Sequence, residues 1–129
     1  MKVGEYLHTR LRVNDLATSL RFYTQVLGLE IRERHTSPRG SQLVFLHLPG
    51  STCDLELCSF PDSGGVDVPE DLVHLAFKVD SVEEWAARLE RFGAPVTEGP
   101  VRTQSGSAFI FTEDPDRYEI ELIQPAPGK

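Results

Sequence analysis

Two histidines and two glutamates are the residues of this chain whose types and spacing best support metal chemistry. His8 and His74 are 66 positions apart, and Glu56 and Glu121 are 65 positions apart. Two imidazoles and two carboxylates without a thiolate suit octahedral Ni²⁺, Co²⁺, Mn²⁺, Fe²⁺ or Zn²⁺. Such a ligand set leaves coordination positions open for water or substrate, which is typical of a catalytic metal.

Each of these residues alone has a more ordinary explanation. A single strand histidine is usually a hydrogen-bonded core or surface residue, and a single strand glutamate is usually solvated. The four are interpreted together because they recur at nearly one offset. His35 and His47 have no counterpart in the other half of the chain, so we interpret them as structural or surface residues.

Alternating apolar and polar residues predict strands around the four candidate ligands. The run Tyr6–Val13 places Leu7 and Leu11 on one face and His8 and Arg10 on the other, which is the two-residue period of a strand. The same reasoning predicts seven more strands, at Leu29–Arg34, Gln42–Leu48, Cys53–Phe60, Leu72–Val79, Pro95–Glu98, Ala108–Thr112 and Tyr118–Gln124.

Two helices are predicted from their caps. Asn14 or Asp15 can cap a helix that ends at Gly28, and Ser81 opens a capping box before a helix that ends at Gly93. Each half of the chain is therefore predicted to form a strand, a helix and three further strands.

The order of elements restarts after a loop at 61–71, which indicates an internal repeat. A shift of 66 aligns His8 with His74, and a shift of 65 aligns Asp54-Leu55-Glu56-Leu57 with Glu119-Ile120-Glu121-Leu122. We predict one domain, 1–129, made of two repeats at about 5–60 and 72–124. Half-units of this kind must pair to bury their apolar faces, which would let the four ligands converge. The alternative is a loose match between two amphipathic strand–helix stretches.

Composition narrows the possible partners. The net charge of −7 argues against nucleic acid and against an anionic membrane surface. No apolar run approaches the roughly 20 residues of a membrane helix, and the first residues lack a secretory pattern. Cys53 and Cys58 are separated by an odd offset, so they face opposite sides of a strand and should remain free thiols. These features predict a cytoplasmic protein with a small-molecule substrate.

Substrate-binding residues are less well defined than the candidate ligands. Arg10 and Arg12 share the face of His8, where they could anchor a carboxylate of the ligand or form a salt bridge with Asp54 or Glu119. The aromatic residues of the strands could wall a pocket or belong to the core; they are Phe45, Phe60, Phe109 and Phe111.

Four segments resemble the vicinal oxygen chelate superfamily, and within it glyoxalase I (lactoylglutathione lyase). They are HTRLRVNDLATSLRFYTQVLGLEI, DLEL, VHLAFKVDS and FTEDPDRYEIELIQP, and the resemblance covers nearly the whole chain. It implies an α+β fold of two paired βαβββ modules, the glyoxalase / bleomycin-resistance / dioxygenase fold. It also implies a homodimer with sites at or near the module interface, whose modules pair within one chain or swap between subunits.

The resemblance implies a specific reaction. The metal ligands map to His8, Glu56, His74 and Glu121, holding one divalent metal per site, with Ni²⁺ or Co²⁺ favoured over Zn²⁺, Mn²⁺ or Fe²⁺. Enzymes of this kind isomerise the hemithioacetal of methylglyoxal and glutathione to the 2-hydroxyacyl thioester through an enediolate. Glu121 is the expected base, and Glu56 is placed to serve the other face. Arg12 matches the family's glutathione-contacting arginine.

The sequence also departs from the family's pattern. Phe60 stands where glyoxalase I usually has an asparagine that helps to hold glutathione, and Cys58 stands at a threonine position, so glutathione or another thiol is the expected co-substrate. Arg117 replaces the glycine of the usual DPDG turn. The alternatives are another metalloenzyme of this superfamily (an epimerase, a thiol transferase or a dioxygenase) and a drug-binding resistance protein.

Overall fold

The computed structural model describes residues 1–128 and divides into two compact units. The first unit is Met1–Val66 and the second begins at Asp67, so the division falls within the loop predicted at 61–71. Lys129, the last residue of the predicted domain, lies outside the described residues. No helix in the described residues is long and apolar enough to cross a membrane.

The first unit, called module 1 here, is a βαβββ unit. Its elements are β1 (His8–Arg12), α1 (Leu16–Arg21), a π-helical turn (Phe22–Val26), β2 (Glu30–Thr36), β3 (Gln42–His47) and β4 (Asp54–Ser59). The sheet order is β1-β4-β3-β2, with β1 parallel to β4 and the other pairs antiparallel. A short 3₁₀ turn, Pro61–Ser63, follows β4.

The second unit, module 2, repeats this arrangement. Its elements are β5 (His74–Lys78), α2 (Val82–Arg91), β6 (Val96–Arg102), β7 (Ala108–Glu113) and β8 (Glu119–Gln124). The sheet order is β5-β8-β7-β6, and β5 runs parallel to β8. The predicted repeat of strand, helix and three strands is therefore confirmed.

The helix caps follow the sequence signals. Asp15, one of the two predicted caps, accepts a hydrogen bond from the amide of Thr18, and Ser81 accepts one from the amide of Glu84. The first helix differs from a simple α-helix because its second half widens into a π-helical turn. There the hydroxyl of Thr24 donates to the carbonyl of Leu20 at 2.7 Å, which competes with the backbone hydrogen bonds of the helix.

Strand boundaries differ from the predictions by one or two residues at most ends, and by four residues at the end of β6. β1 begins at His8 rather than Tyr6, and Leu7 is 63% exposed instead of packing beneath the sheet. β6 continues to Arg102, well beyond the predicted end at Glu98, although it contains Gly99 and Pro100. The sequence pattern did not predict this part of the strand because glycine and proline both disfavour regular strands. The pairing of β6 with β7 is irregular around these two residues.

Each sheet has one face packed on its own helix. In module 1 the buried strand residues include Leu11, Val44, Leu46, Leu55 and Leu57, and in module 2 they include Ala108, Ile110, Ile120 and Leu122. The helices contribute fully buried side chains such as Tyr23 and Leu89. The other face of each sheet carries both polar and aromatic side chains. Both cysteines are free, as predicted.

Candidate functional site

Module 1 brings His8 and Glu56 together on the face of the sheet opposite the helix. His8 opens β1 and Glu56 lies in the parallel neighbour β4, where Arg10 is its partner in register. The Nε2 atom of His8 lies 3.6 Å from Oε1 of Glu56. The Glu56 side chain is only 1% exposed, whereas that of His8 is 39% exposed. This pair thus presents an open imidazole beside a buried carboxylate.

Module 2 builds the same pair from the equivalent strands. His74 opens β5 and Glu121 lies in β8, with Ala76 opposite it in register. The Nε2 atom of His74 lies 3.2 Å from Oε1 of Glu121, and the two side chains are 49% and 17% exposed. The repeat seen in the sequence therefore extends to the geometry of the two His–Glu pairs.

An aromatic ring contacts the imidazole in each pair. Phe45 of β3 makes a T-shaped contact with His8, with centroids 5.1 Å apart, and Phe111 of β7 does the same with His74 at 5.4 Å. Phe109 in turn makes a T-shaped contact with Phe111. These phenylalanines therefore line the polar faces of the sheets, where they restrict the orientation of the imidazoles.

The two pairs differ in their surroundings because Arg10 has no counterpart in module 2. Its Nε donates to Oε1 of Glu56 at 2.7 Å, and a terminal nitrogen donates to Oε2 at 3.2 Å. The hydrogen bond to Glu56 raises the pKa of Arg10, against the effect of its partial burial. Arg10 thus pairs with Glu56, and not with Asp54 or Glu119 as considered from the sequence.

Asp54 and Glu119 instead have other partners. Asp54 accepts hydrogen bonds from Arg32 at 2.8 Å and pairs with Nδ1 of His47 at 3.0 Å. Burial alone would raise the pKa of Asp54, but His47 and Arg32 together lower it. Glu119 accepts from the backbone amide of Asp71.

Phe60 and the two neighbouring arginines form a second feature of this face. The guanidinium carbons of Arg10 and Arg39 lie 5.6 and 5.7 Å from the centre of the Phe60 ring. Arg12 donates to the carbonyls of Ser63 and Gly64, so it contacts the turn after β4. The sequence pattern did not reveal Arg39, because only the conformation of the β2–β3 turn places it over Phe60.

The remaining polar groups of module 1 are less suited to bind a cation. His35 pairs with Glu33 at the exposed surface. Cys58 is fully buried, and burial raises the pKa of its thiol although Arg10 and Arg12 act in the opposite direction. A thiol kept protonated is a poor metal ligand.

The donor atoms of the two pairs fit a divalent cation of borderline hardness. Each pair offers an imidazole nitrogen and a carboxylate within 4 Å of one another, with no thiolate. Within residues 1–128, no three His, Cys, Asp or Glu side chains are grouped closely enough to hold a metal ion by themselves. Each module thus holds one histidine and one glutamate of the four residues that the sequence predicts as ligands.

Sequence comparison assigns this chain to a family. Residues 5–122 match the Glyoxalase/Bleomycin resistance protein/Dioxygenase superfamily. The chain belongs to this superfamily, in agreement with the two βαβββ modules.

Individual relatives within the superfamily are similar over nearly their whole length. The chain is 37% identical to a lactoylglutathione lyase of Neisseria meningitidis over 126 residues, which cover 95% of this chain and 91% of the relative. It is 36% identical to the lactoylglutathione lyase of Salmonella typhimurium, with 92% and 90% covered.

Solved structures with the same fold include both enzymes and a binding protein. The trypanothione-dependent glyoxalase I of Leishmania major is 33% identical, with a TM-score of 0.79 over 95% of this chain and 87% of that one. Glyoxalase I of Zea mays is 29% identical, with a TM-score of 0.81 over 94% of this chain and 44% of that one. An antibiotic-binding protein from a Streptomyces species is 26% identical, with a TM-score of 0.78 over 98% and 99%.

Proposed function

We propose that this protein is a lactoylglutathione lyase of the glyoxalase I type. It converts the hemithioacetal of methylglyoxal and a thiol into the corresponding 2-hydroxyacyl thioester. The observation that carries the proposal is the repeated pair, His8 with Glu56 and His74 with Glu121, at equivalent positions of two equivalent sheets. The similarity to bacterial lactoylglutathione lyases over more than nine-tenths of the chain supports the same reaction.

The two pairs are proposed to supply the four protein ligands of one divalent cation. Ni²⁺ and Co²⁺ are the preferred candidates, and two nitrogen with two oxygen donors also accept Zn²⁺, Mn²⁺ or Fe²⁺. When bound, such a cation acts as a Lewis acid that stabilises negative charge on the substrate oxygens. The aromatic contacts of Phe45 and Phe111 restrict how the two imidazoles can turn.

Glu121 is the proposed base. Its side chain is 17% exposed and its ion-pair partner is His74, whereas Glu56 is 1% exposed and held at both oxygens by Arg10. A carboxylate must move slightly to take a proton from one atom and deliver it to the next, and Glu121 is less restrained. Glu56 serves as the second, more rigid carboxylate.

The reaction is a pair of proton transfers without net oxidation. Glu121 removes the hydrogen from the carbon that carries sulfur and returns it to the neighbouring carbon, the former ketone carbon. The hydroxyl proton moves from the first oxygen to the second, so the hydroxyl becomes the thioester carbonyl and the ketone becomes the hydroxyl. The carbon–sulfur bond is kept, and no external oxidant or reductant is needed.

The thiol is proposed to bind beside module 1, through Arg10, Arg12 and Phe60. Glutathione is the leading candidate, since its two carboxylates could pair with arginine side chains. Because Phe60 stands where glyoxalase I usually has an asparagine that helps to hold glutathione, a different thiol is the main alternative co-substrate. The free cysteines fit a reducing compartment, so we propose a cytoplasmic location.

The first experiment measures thioester formation from methylglyoxal and glutathione. Metal-free protein is reloaded in turn with Ni²⁺, Co²⁺, Mn²⁺ and Zn²⁺. We expect metal-dependent turnover, lowered about 10²–10⁴-fold by Glu121→Gln. Glu119→Gln is the matched control, since it lies on the same face of β8 and its amide oxygen can still accept from Asp71. Stoichiometric metal binding without turnover by any metal or thiol would refute the proposed reaction.

A homodimer is also proposed for the active form. Light scattering at micromolar concentration should give twice the mass of the chain. A monomer mass for the metal-loaded, active protein would refute the dimer while leaving the proposed chemistry intact.

Antibiotic binding is the second candidate function, favoured by the similarity to the antibiotic-binding protein over almost the entire chain. A binding protein of this type needs no metal. Tight binding of an antibiotic by metal-free protein, together with no turnover in the loaded protein, would favour this candidate over the lyase.

A further inference from the structure

The two modules differ at one position beside the candidate ligands. The third residue of β1 is Arg10, and the third residue of β5 is Ala76. Each lies opposite the glutamate of its own module in the parallel ladder, Arg10 opposite Glu56 and Ala76 opposite Glu121. The repeat therefore places a permanent positive charge next to one carboxylate and a methyl group next to the other.

Glu56 is bound through both of its oxygens. Nε of Arg10 donates to Oε1 and a terminal nitrogen donates to Oε2, at 2.7 and 3.2 Å. Because Glu56 is 1% exposed, water cannot replace this charge, and a buried carboxylate without a partner is strongly unfavourable. Glu121 is more exposed, and within residues 1–128 its ion-pair partner is His74.

A divalent cation at Glu56 would meet this guanidinium. Both would use the lone pairs of one carboxylate, and two positive charges at such short range repel one another. A guanidinium that neutralises Glu56 would therefore oppose a cation bound to the same carboxylate.

The guanidinium of Arg10 also has a second partner, the aromatic ring of Phe60. Its side chain is 49% exposed, so it can move without unpacking the core, and its guanidinium already lies 5.6 Å from the centre of the Phe60 ring. An aromatic face holds a guanidinium by cation–π attraction after its carboxylate partner is lost.

We propose that Arg10 is an exchangeable counter-ion, which neutralises Glu56 in the metal-free protein and gives it up to a divalent cation. The inference rests on the proposed function in one respect: it requires Glu56 to be a metal ligand. It goes further by assigning Arg10 as the residue that weakens metal binding in module 1, with a release position on Phe60.

The first test compares metal affinity. Metal-free wild-type protein and Arg10→Met are titrated with Ni²⁺ alone in competition with a chromophoric chelator at neutral pH. Removing a charge next to the ion should tighten binding by about tenfold. Arg34→Met is the matched control: it also removes one arginine from module 1, from the exposed strand β2, and should leave the affinity unchanged.

The second test uses melting temperature. Metal-free Arg10→Met should melt below the wild type, because its buried carboxylate has lost its partner. Addition of Ni²⁺ should raise the melting temperature of the variant more than that of the wild type, as linkage requires of a tighter ligand. Arg10→Lys keeps the charge but loses the two-point contact. It should fold like the wild type and keep the wild-type affinity to within a few-fold.

A further variant, Ala76→Arg, introduces a guanidinium at the equivalent position of module 2. Ala76 is exposed, so Ala76→Arg can be accommodated opposite Glu121 and should weaken Ni²⁺ binding. If Arg10→Met binds Ni²⁺ no more tightly than the wild type, Arg10 is a positioning residue and the counter-ion proposal is wrong, while the metal site stands. If neither wild type nor any variant binds Ni²⁺, Co²⁺ or Zn²⁺, both proposals are wrong.

Discussion

Phe111 and His74 stand almost perpendicular to one another, with ring centroids 5.4 Å apart and an angle of 89° between the planes. Phe45 and His8 repeat this contact in module 1, at 5.1 Å and 85°. The two contacts come from equivalent strands, so the repeat conserves not only the histidine and glutamate but also the ring that fixes the imidazole. This relationship places Phe45 and Phe111 beside the predicted ligands His8 and His74.

Shortening Phe111 should therefore weaken metal binding. Phe111→Leu removes a T-shaped contact worth about 0.5–1.5 kcal/mol, so Ni²⁺ affinity should fall a few-fold. Phe109→Leu is the control, because Phe109 contacts Phe111 and the structure gives it no ring contact with His74. Chelator competition measures both variants. Equal affinities in the two would show that Phe111 does not hold the imidazole.

Much of the site could be predicted because its signals are local or repeated. The alternation around His8 places it on the polar face of a strand, and the offset to His74 shows that the pattern recurs. Both observations survive small errors in strand boundaries, so the late start of β1 does not affect them.

The contacts of Arg10 and Arg39 could not be predicted in the same way. Arg10 meets Glu56 because β4 is the parallel neighbour of β1, and the alternation within a strand does not specify which strand lies beside it. Arg39 reaches Phe60 through the conformation of one turn. The extension of β6 was missed because Gly99 and Pro100 act as strand breakers in most sequences.

Gly99 should tolerate no side chain. Its φ is +93°, and a Cβ would lie 2.6 Å from the carbonyl oxygen of Phe109. Gly50 is a matched control, since its φ is also +93° but nothing lies within 4 Å of a Cβ there. Gly50→Ala should cost about 1–2 kcal/mol of unfolding free energy from backbone strain alone. Gly99→Ala should cost about 1–3 kcal/mol more from the clash.

Urea unfolding measures both glycine variants. The comparison depends on the difference between them, so the strain common to both cancels. If the two variants lose the same free energy of unfolding, the backbone around Gly99 relaxes and the close approach of Phe109 has no energetic consequence.

Asp114 should be important for the turn that leads into β8. Its buried carboxylate accepts hydrogen bonds from the backbone amides of Asp116 and Tyr118, both at 2.9 Å. Asp114→Ala leaves these amides without that acceptor and should cost at least about 2 kcal/mol of unfolding free energy. Asp114→Asn keeps one acceptor oxygen and should cost less than half as much in the same urea experiment. If both variants lose the same free energy of unfolding, the negative charge of Asp114 stabilises the protein, and its hydrogen bonds to the turn do not.

Arg117 is a site where stability can be gained. Its φ is +75°, a left-handed conformation that disfavours residues with a Cβ, as expected where the family's turn usually has glycine. Arg117→Gly should raise the unfolding free energy by up to about 1 kcal/mol. The variant also loses the ion pair with Asp67, but that pair is 3.4 Å long and exposed, so it contributes little. Arg117→Ala loses the pair and keeps the strain, so it should not be more stable than the wild type.

Arg39 should affect the binding of an anionic thiol without affecting the chemistry. It lies over Phe60, is exposed, and has no carboxylate partner among residues 1–128. Arg39→Gln should raise KM for the glutathione adduct a few-fold at unchanged kcat, as expected for an exposed charge pair worth about 0.2–1 kcal/mol. With the diester of glutathione, which lacks both carboxylates, wild type and variant should have the same KM. A lower kcat, or an equal change in KM with both thiols, would mean that Arg39 acts through Phe60 on the site itself rather than by charge.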